Sequence, residues 1–191
     1  MSDALLERRQ MARPRPSLEP EESPFRLRVG RSRIHGWGVF ALDPIPALRK
    51  VIEYKGARVS VRKANERRRK APAVSKAPRV STFRVNRYWV VDGDRGGNGA
   101  VLINHSCDPN LRTRVIRGQP VYFSRRRIRK GEELCVDYRF RWKKRLTPCH
   151  CGSTRCRGTI NLPPFLPPRG NRAVDVRLIS ALSFSAPMSL G

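Results

Sequence analysis

Three thiols lie within eight residues in Cys149-His150-Cys151-Gly152-Ser153-Thr154-Arg155-Cys156. The Gly and Ser residues between them are turn formers, so this stretch is typical of a loop. A closed structural zinc site needs four donors in a tetrahedron, and cysteine thiolates are among the preferred ones. The stretch therefore predicts a zinc site that has three ligands here and a fourth ligand from elsewhere in the chain.

The fourth ligand is best supplied by Cys107, in the segment Asn104-His105-Ser106-Cys107-Asp108-Pro109-Asn110. Pro and Asn in that segment predict a tight exposed turn. His150 is the rival fourth donor, but both of its neighbours are ligands, so its ring would have difficulty reaching the same ion. Cys135 lies in an apolar run and is interpreted as a buried small hydrophobe. The predicted metal ligands are Cys107, Cys149, Cys151 and Cys156.

The chain is strongly basic. Its 191 residues include 41 Lys and Arg against 15 Asp and Glu, which gives a formal net charge of +26. This charge predicts a polyanionic partner, most simply nucleic acid or a nucleosome, bound through Arg and Lys clusters with a steep dependence on salt. An Arg-rich coding bias is an equally simple explanation. The length favours a single domain with one modest core, and we expect a monomer.

Secretion and membrane insertion are not indicated. The N-terminus carries arginines but has no apolar stretch that could form a signal-peptide core. The longest apolar candidate, 178–190, is short and is interrupted by serines and a proline. Five cysteines in such a chain favour metal ligands or free thiols over disulfides. We therefore expect an intracellular protein, located at chromatin in a nucleus if eukaryotic and in the cytoplasm or nucleoid if bacterial.

Short strands dominate the local sequence patterns. Alternating or β-branched runs bounded by turn residues predict strands at 25–29, 36–41, 51–54, 81–85, 88–91, 120–124 and 133–138. The basic stretch 62–70 predicts a short exposed helix that ends before Pro72. Prolines and charges at 1–24 indicate a disordered leader, and the Pro-rich and Ser-rich composition from residue 163 to 191 indicates a disordered tail.

Five motifs follow one another along the chain. They are Gly36-Trp37-Gly38-Val39, Glu53-Tyr54-Lys55-Gly56, the Asn104–Asn110 segment, Gly131-Glu132-Glu133-Leu134 followed by Asp137-Tyr138, and the cysteine loop. SET domains have these motifs in the same order, and the chain resembles that family of protein lysine methyltransferases. The resemblance implies a mainly β fold of several small sheets, with a C-terminal pseudoknot and a short post-SET zinc loop. It also implies a SET domain over 25–141 and a post-SET zinc-binding segment over 142–162, as in the minimal, bacterial-type forms.

The resemblance further implies an activity. It is methyl transfer from S-adenosylmethionine to the side-chain amine of a lysine in a protein, such as a histone or another nucleic-acid-associated protein. In that family the catalytic residue would be Tyr138, and the substrate channel would include Tyr54 and Val136. Zinc would have a structural role, holding the C-terminal loop so that Trp142 or Leu162 covers the site. The donor would be bound around His35, Gly36, Trp37, Phe83, Asn104 and His105.

Three places depart from the family pattern. A tyrosine is usual where Phe83 stands and an arginine-aromatic pair is usual where Val101-Leu102 stands, and both departures concern donor binding. Val136 stands where a Phe or Tyr commonly limits the number of methyl groups, so we expect multiple methylation. The alternative function is a catalytically degenerate SET and zinc module that binds nucleic acid or chromatin through its basic clusters.

Overall fold

The protein is built from short strands. The structure is a computed structural model that describes residues 18–70, 81–141 and 146–164. Within those residues there is one α-helix, α1 (Val61–Lys70), and there are two 3-10 turns, Pro20–Glu22 and Gly99–Leu102. The strands, β1 to β10, are Leu27–Arg31, Trp37–Ala41, Lys50–Glu53, Ala57–Ser60, Thr82–Arg84, Trp89–Asp92, Asn104–His105, Leu111–Ile116, Gln119–Ser124 and Cys135–Val136.

These strands form four small sheets. The hairpin β1–β2 is antiparallel, β3–β9–β8 and β4–β6–β5 are antiparallel sheets of three strands, and β7 pairs in parallel with β10. Sheets of two or three short strands are marginal by themselves, so burial of apolar side chains must supply much of their stability. One hydrophobic core serves them jointly, with the fully buried side chains Val39, Ile45, Val51, Ile52, Val91, Ile128 and Leu134. The predicted mainly β fold of several small sheets is confirmed.

Three strands were missed by the sequence analysis, β4, β7 and β8. In β8, Arg112 and Arg114 interrupt the apolar residues. The sequence therefore does not show the clear alternation of apolar and polar residues that predicts a strand. The pairing of β8 with β9 follows a two-residue turn in which Arg117 and Gly118 both have positive φ, 49° and 81°. Turns of this kind match the twist of the flanking strands, so the hairpin geometry and the pairing outweigh the weak local pattern.

The helix and the hairpin of the middle region are confirmed. In α1, six of ten residues are Lys or Arg, and the helix lies against β4 and β6. The hairpin β5–β6 is antiparallel, and the amide of Val85 donates to the carbonyl of Trp89 at 3.0 Å. The strand predicted for 133–138 is regular only over Cys135–Val136.

The predicted leader and tail lie outside the described residues except for 18–24 and 163–164, and Trp142 also lies outside them. Leu18 packs against the hydrophobic core, and Glu22 accepts a hydrogen bond from the amide of Gly99 at 3.4 Å. Among the helices of the described part of the chain, none is long and apolar enough to cross a membrane.

Candidate active site and metal centre

The segment leading to Tyr138 lies between two other parts of the chain. On one side β10 pairs in parallel with β7. On the other side the amide of Leu134 donates to the carbonyl of Val39 at 2.7 Å, and the amide of Ala41 donates to the backbone carbonyl of Glu132 at 3.0 Å. The segment is thus held between β2 and β7, an arrangement in keeping with the expected pseudoknot, and it brings Tyr138 beside β7.

The segment Asn104–Asn110 is largely buried, so the prediction of a tight exposed turn is wrong. Asn104, His105 and Asn110 are at most 7% exposed. Asn110 donates from Nδ2 to the carbonyl of Glu133 at 2.7 Å and accepts the amide of Cys135 at 2.9 Å. Its side chain therefore satisfies backbone groups that the two-residue pairing of β7 and β10 leaves open. Asn110 suggests a turn in the sequence, but in the structure its side chain holds β10 in position.

The side chain of Asn104 fixes the loop that contains His35, Gly36 and Trp37. Its Nδ2 lies 3.3 Å from the carbonyl of His35, 3.0 Å from that of Trp37 and 2.8 Å from Oε1 of Glu133. Gly36 bends the loop at a φ of 49°, a conformation that favours glycine. The ring of His35 is exposed. The predicted donor-binding loop is therefore positioned through its backbone.

His105 connects Tyr138 to the cysteine cluster. Its Nδ1 accepts the amide of Tyr138 at 3.1 Å, so in the neutral ring the proton is on Nε2. Nε2 lies 3.4 Å from Sγ of Cys107 and can donate to that sulfur. Burial lowers the pKa of His105 to about 4, against an opposing effect of Asp137. The ring is neutral at physiological pH, as these two hydrogen bonds require.

The hydroxyl of Tyr138 is a neutral donor with a fixed direction. It donates to the carbonyl of Ile103 at 2.9 Å, and its ring lies 5.4 Å from that of His105 and 5.8 Å from that of Phe140, between centroids. Burial raises its pKa above the usual value, with Cys135 and Glu133 contributing in the same direction. The hydroxyl stays protonated, and its oxygen keeps lone pairs for a second partner.

The predicted channel residues pack in the hydrophobic core near Tyr138. Tyr54 is 4% exposed, donates to the carbonyl of Ser81 at 2.6 Å and has its ring 5.9 Å from that of Phe83. Val136 is 4% exposed in the same core. Phe83 and Tyr138 are partly buried and pack against this core. The structure therefore brings all four predicted residues to one apolar region.

The four predicted metal ligands form a compact cluster. Their sulfur atoms all lie within 4.8 Å of one another, with Cys107 at 3.7 Å from Cys149 and at 4.0 Å from Cys156. A tetrahedral zinc ion with Zn–S bonds of about 2.3 Å requires sulfur atoms roughly 3.8 Å apart. The cluster fits that geometry. His150 is exposed and does not belong to the group.

Backbone amides donate hydrogen bonds to sulfurs of the cluster. The amide of Cys107 donates to Sγ of Cys151 at 3.5 Å, and that of Arg157 donates to Sγ of Cys107 at 3.4 Å. Burial raises the pKa of Cys151, but hydrogen bonds from the amides of Cys107 and Ser153 and from neighbouring thiols lower it to about 6. Burial raises the pKa of the Cys107 and Cys149 thiols. It also raises the pKa of Cys135, outside the cluster, to about 12. The interpretation of Cys135 as a buried small hydrophobe is confirmed.

Comparison with known proteins assigns the family. The family model described as SET domain matches residues 36–139, more than half of the chain. The chain belongs to the SET domain family. It is 38% identical over 140 residues to the histone-lysine N-methyltransferase SETD1A of Homo sapiens, an alignment that covers 71% of this chain and 8% of the human protein.

Invertebrate relatives give the same result. The histone-lysine N-methyltransferase SETD1 of Drosophila melanogaster is 37% identical over 139 residues, which cover 71% of this chain and 8% of the relative. The histone-lysine N-methyltransferase set-2 of Caenorhabditis elegans is 38% identical over 139 residues, which cover 71% of this chain and 9% of the relative. This SET domain chain therefore spans less than a tenth of the length of these relatives.

An ion pair that the sequence analysis missed joins the cysteine loop to the SET domain. Arg157, directly after Cys156, makes two hydrogen bonds of 2.9 and 3.0 Å to the carboxylate of Asp137, directly before Tyr138. The two side chains are 23% and 21% exposed. Both residues adjoin motifs that the sequence singles out, but nothing local in the sequence indicates that they meet. The pair holds the loop against the residue that precedes Tyr138.

Replacing Arg157 with alanine is expected to lower the free energy of unfolding by about 1–3 kcal/mol, because the half-buried Asp137 carboxylate loses both charged hydrogen bonds. Urea denaturation of the zinc-saturated protein measures this. The matched control is Arg26→Ala, whose partner Asp43 lies 2.7 Å away in a pair that is 76% exposed at the arginine. That control should change the denaturation midpoint much less. An equal loss in both variants would contradict a structural role for Arg157.

Proposed function

We propose that this chain is a protein-lysine N-methyltransferase that uses S-adenosylmethionine and acts on a histone or another nucleic-acid-associated protein. Membership of the SET domain family supports the reaction. The names of the relatives, all histone-lysine N-methyltransferases, support a histone as the substrate. The observation that carries the proposal is the position of Tyr138 beside β7. Its amide donates a hydrogen bond to the ring of His105, and its hydroxyl donates one to the carbonyl of Ile103.

The reaction needs a neutral lysine amine. With a pKa of about 10.4, well under ~0.1% of a lysine is neutral at pH 7. Burial beside apolar side chains disfavours the ammonium form and so lowers its pKa. Tyr54, Phe83 and Val136 belong to the same hydrophobic core that Tyr138 packs against, and they supply such an environment. The chain would therefore favour deprotonation of the substrate lysine by surrounding its amine with apolar side chains.

Tyr138 would orient the amine. Because the Tyr138 proton is directed at the carbonyl of Ile103, its oxygen can accept an N–H of the substrate amine. That contact directs the amine lone pair away from the tyrosine. S-adenosylmethionine, when bound, supplies a methyl group activated by a sulfonium centre. Alignment of the reacting groups then accounts for much of the rate acceleration, and no covalent enzyme intermediate is needed.

The donor and the metal would be held by separate groups of residues. The loop His35-Gly36-Trp37 is pinned by Asn104, which suits a donor bound largely through backbone atoms. The four clustered cysteines would hold a structural zinc ion. Leu162, whose amide donates to Phe140 at 2.8 Å, would help to cover the donor and the channel. Cofactor and metal thus have complementary roles, one in chemistry and one in structure.

Calorimetric titration of the zinc-loaded protein with S-adenosylmethionine tests this function without knowledge of the substrate. We expect binding in the micromolar range and clear weakening in His105→Ala, because that change removes the acceptor of the Tyr138 amide. The control is His150→Ala, an exposed histidine outside the cysteine group, checked for unchanged zinc content. No binding by folded wild-type protein would favour the non-catalytic module that binds nucleic acid or chromatin.

We expect more than one methyl group to be added. The side chain at position 136 is a valine, which leaves more room beside the amine than the Phe or Tyr common in the family. Mass spectrometry of a methylated histone peptide, followed over time at excess donor, measures the product states. A product that stays monomethylated at completion would contradict this prediction.

Partners and location form a further part of the proposal. The chain would act as a monomer at chromatin and contact nucleic acid or a nucleosome through its basic clusters, which the net charge of +26 supports. A free basic peptide is repelled by such a surface at low ionic strength, whereas DNA can bridge the two. We expect higher turnover on nucleosomal substrate than on free peptide. Equal turnover on both, independent of salt, would count against this contact.

A further inference from the structure

The turn between β9 and β10 concentrates positive charge on a rigid frame. Arg125, Arg126, Arg127, Arg129 and Lys130, here called the cationic turn, are all exposed, whereas Ile128 between them is fully buried. A run of charges is usually a flexible solvated face. This one is anchored at its centre by a core side chain, so its position relative to the core is fixed.

Backbone hydrogen bonds hold the turn on both sides of that anchor. Ile128 exchanges two hydrogen bonds of 2.9 Å with Ile45. The amide of Gly131 donates to the carbonyl of Ala41 at 2.7 Å, and the amide of Arg125 donates to that of Asn110 at 2.8 Å. A partner that binds here would not have to order the backbone first. Such preorganisation lowers the entropic cost of binding.

The positive charge of the turn is only partly neutralised. Of the carboxylates near it, Glu132 pairs with Arg126 at 2.6 Å, Asp43 pairs with Arg26 at 2.7 Å, and the negative charge of Asp108 also acts on Arg126. The other exposed cations of the turn, Arg127, Arg129 and Lys130 among them, form no ion pair with any described residue. A net excess of cations therefore remains at this surface.

The cationic turn also has a shape and a composition that select its partner. Four of its side chains, those of Arg126, Arg127, Arg129 and Lys130, line a concave surface together with Pro44 and Glu132. We propose that this surface binds the phosphate backbone of double-stranded DNA. Phosphate contacts are made by Arg and Lys and are independent of sequence. Among the described residues, no aromatic side chain lines the surface, whereas proteins that bind single strands stack the bases on such side chains.

The location of the turn connects this inference to the active site. Glu132 accepts a hydrogen bond from Asn110 at 2.9 Å, and Asn110 in turn clamps β10, which leads to Tyr138. The inference extends the nucleic-acid contact of the proposed function but does not depend on catalysis. DNA held at the turn would keep a basic substrate tail, itself attracted to DNA, close to the methyl-transfer site.

Salt-dependent binding of a short fluorescent DNA duplex, measured by anisotropy on the full chain, tests the proposal. The variant Arg127→Gln/Arg129→Gln/Lys130→Gln should lose on the order of tenfold or more in affinity, and its salt slope should fall by about 2–3. The matched control removes the same charge from exposed positions of α1, as Lys63→Gln/Arg69→Gln/Lys70→Gln. It should leave the slope close to that of the wild type.

Three results would overturn the proposal. The first is equal weakening of duplex binding in the two triple variants, which would indicate a diffuse effect of net charge. The second is equal competition by a single strand or by an acidic peptide of matched charge. The third is a wild-type protein that does not bind the duplex. Calorimetry with S-adenosylmethionine on the cationic-turn variant should match the wild type, so failure of the methyltransferase proposal remains distinguishable.

Discussion

Replacing Cys151 with serine should abolish stoichiometric zinc binding and release the segment 146–164 from the rest of the chain. A serine hydroxyl does not ionise near neutral pH, whereas Cys151 is the cluster thiol whose pKa is lowered to about 6. Structural zinc in small cysteine sites contributes about 10–16 kcal/mol of binding free energy, so loss of one ligand should weaken zinc affinity by orders of magnitude. Zinc content after dialysis measures the loss.

Release of the segment should follow because few other contacts were found to hold it. Among the described residues, the amide of Leu162 donates to the carbonyl of Phe140 at 2.8 Å, and Nδ2 of Asn161 donates to the carbonyl of Arg141 at 2.7 Å. The other attachments are the Arg157 pair and the hydrogen bonds of Cys107 to the cysteine loop, which depend on the intact cluster. Limited proteolysis should therefore cut the serine variant after residue 139 much faster than the wild type. Cys135→Ala, a cysteine outside the cluster, serves as the control and should keep its zinc. Retention of zinc by the Cys151 variant would exclude this assignment of the ligands.

Tyr138→Phe should lower kcat on a histone substrate by about 10²-fold or more, because misplacing the amine is costly in a reaction governed by alignment. The fold should survive, since only the hydroxyl and its 2.9 Å bond to Ile103 are lost, at a cost of about 1 kcal/mol. Initial rates at saturating donor and substrate give kcat. Donor affinity by calorimetry should stay near the wild-type value.

The matched control for that variant is Tyr88→Phe, a tyrosine that is 57% exposed and far from the core. Its kcat should equal that of the wild type. A Tyr138→Phe protein with full turnover would remove Tyr138 from the chemistry, even if the family assignment stands. A variant that loses donor binding as well as turnover would indicate a structural rather than a catalytic role.

The sequence was informative where a pattern is local. Ligand spacing within the cysteine loop predicted Cys149, Cys151 and Cys156 as ligands, and Cys107 was predicted as the fourth, although the tight exposed turn expected around it was wrong. The four sulfurs do come together. Alternation and β-branched runs placed most strands, because half-buried strands have a period of two. The mainly β fold followed from these short strands and from the order of the motifs.

The sequence was less informative where one side chain serves a distant part of the backbone. Asn104 and Asn110 suggest turns because asparagine favours turns. Both are buried, however, and their side chains bond to residues 22 to 69 positions away in the sequence. Likewise, Asp137 and Arg157 look like ordinary surface charges until the fold brings them together. These contacts depend on tertiary pairing, which local propensity does not encode.

The pairing of β2 with the segment before Tyr138 also decides when the protein can complete its folding. Ser32 meets Glu133 across 101 positions of sequence, and Val39 and Ala41 are fully buried in the finished core. Loop closure of that length is slow and yields no stability until the distant partner arrives. On the ribosome, the apolar side chains of the first hairpin lack these partners until residues 132–134 have emerged, and apolar surface exposed in this way is prone to aggregation.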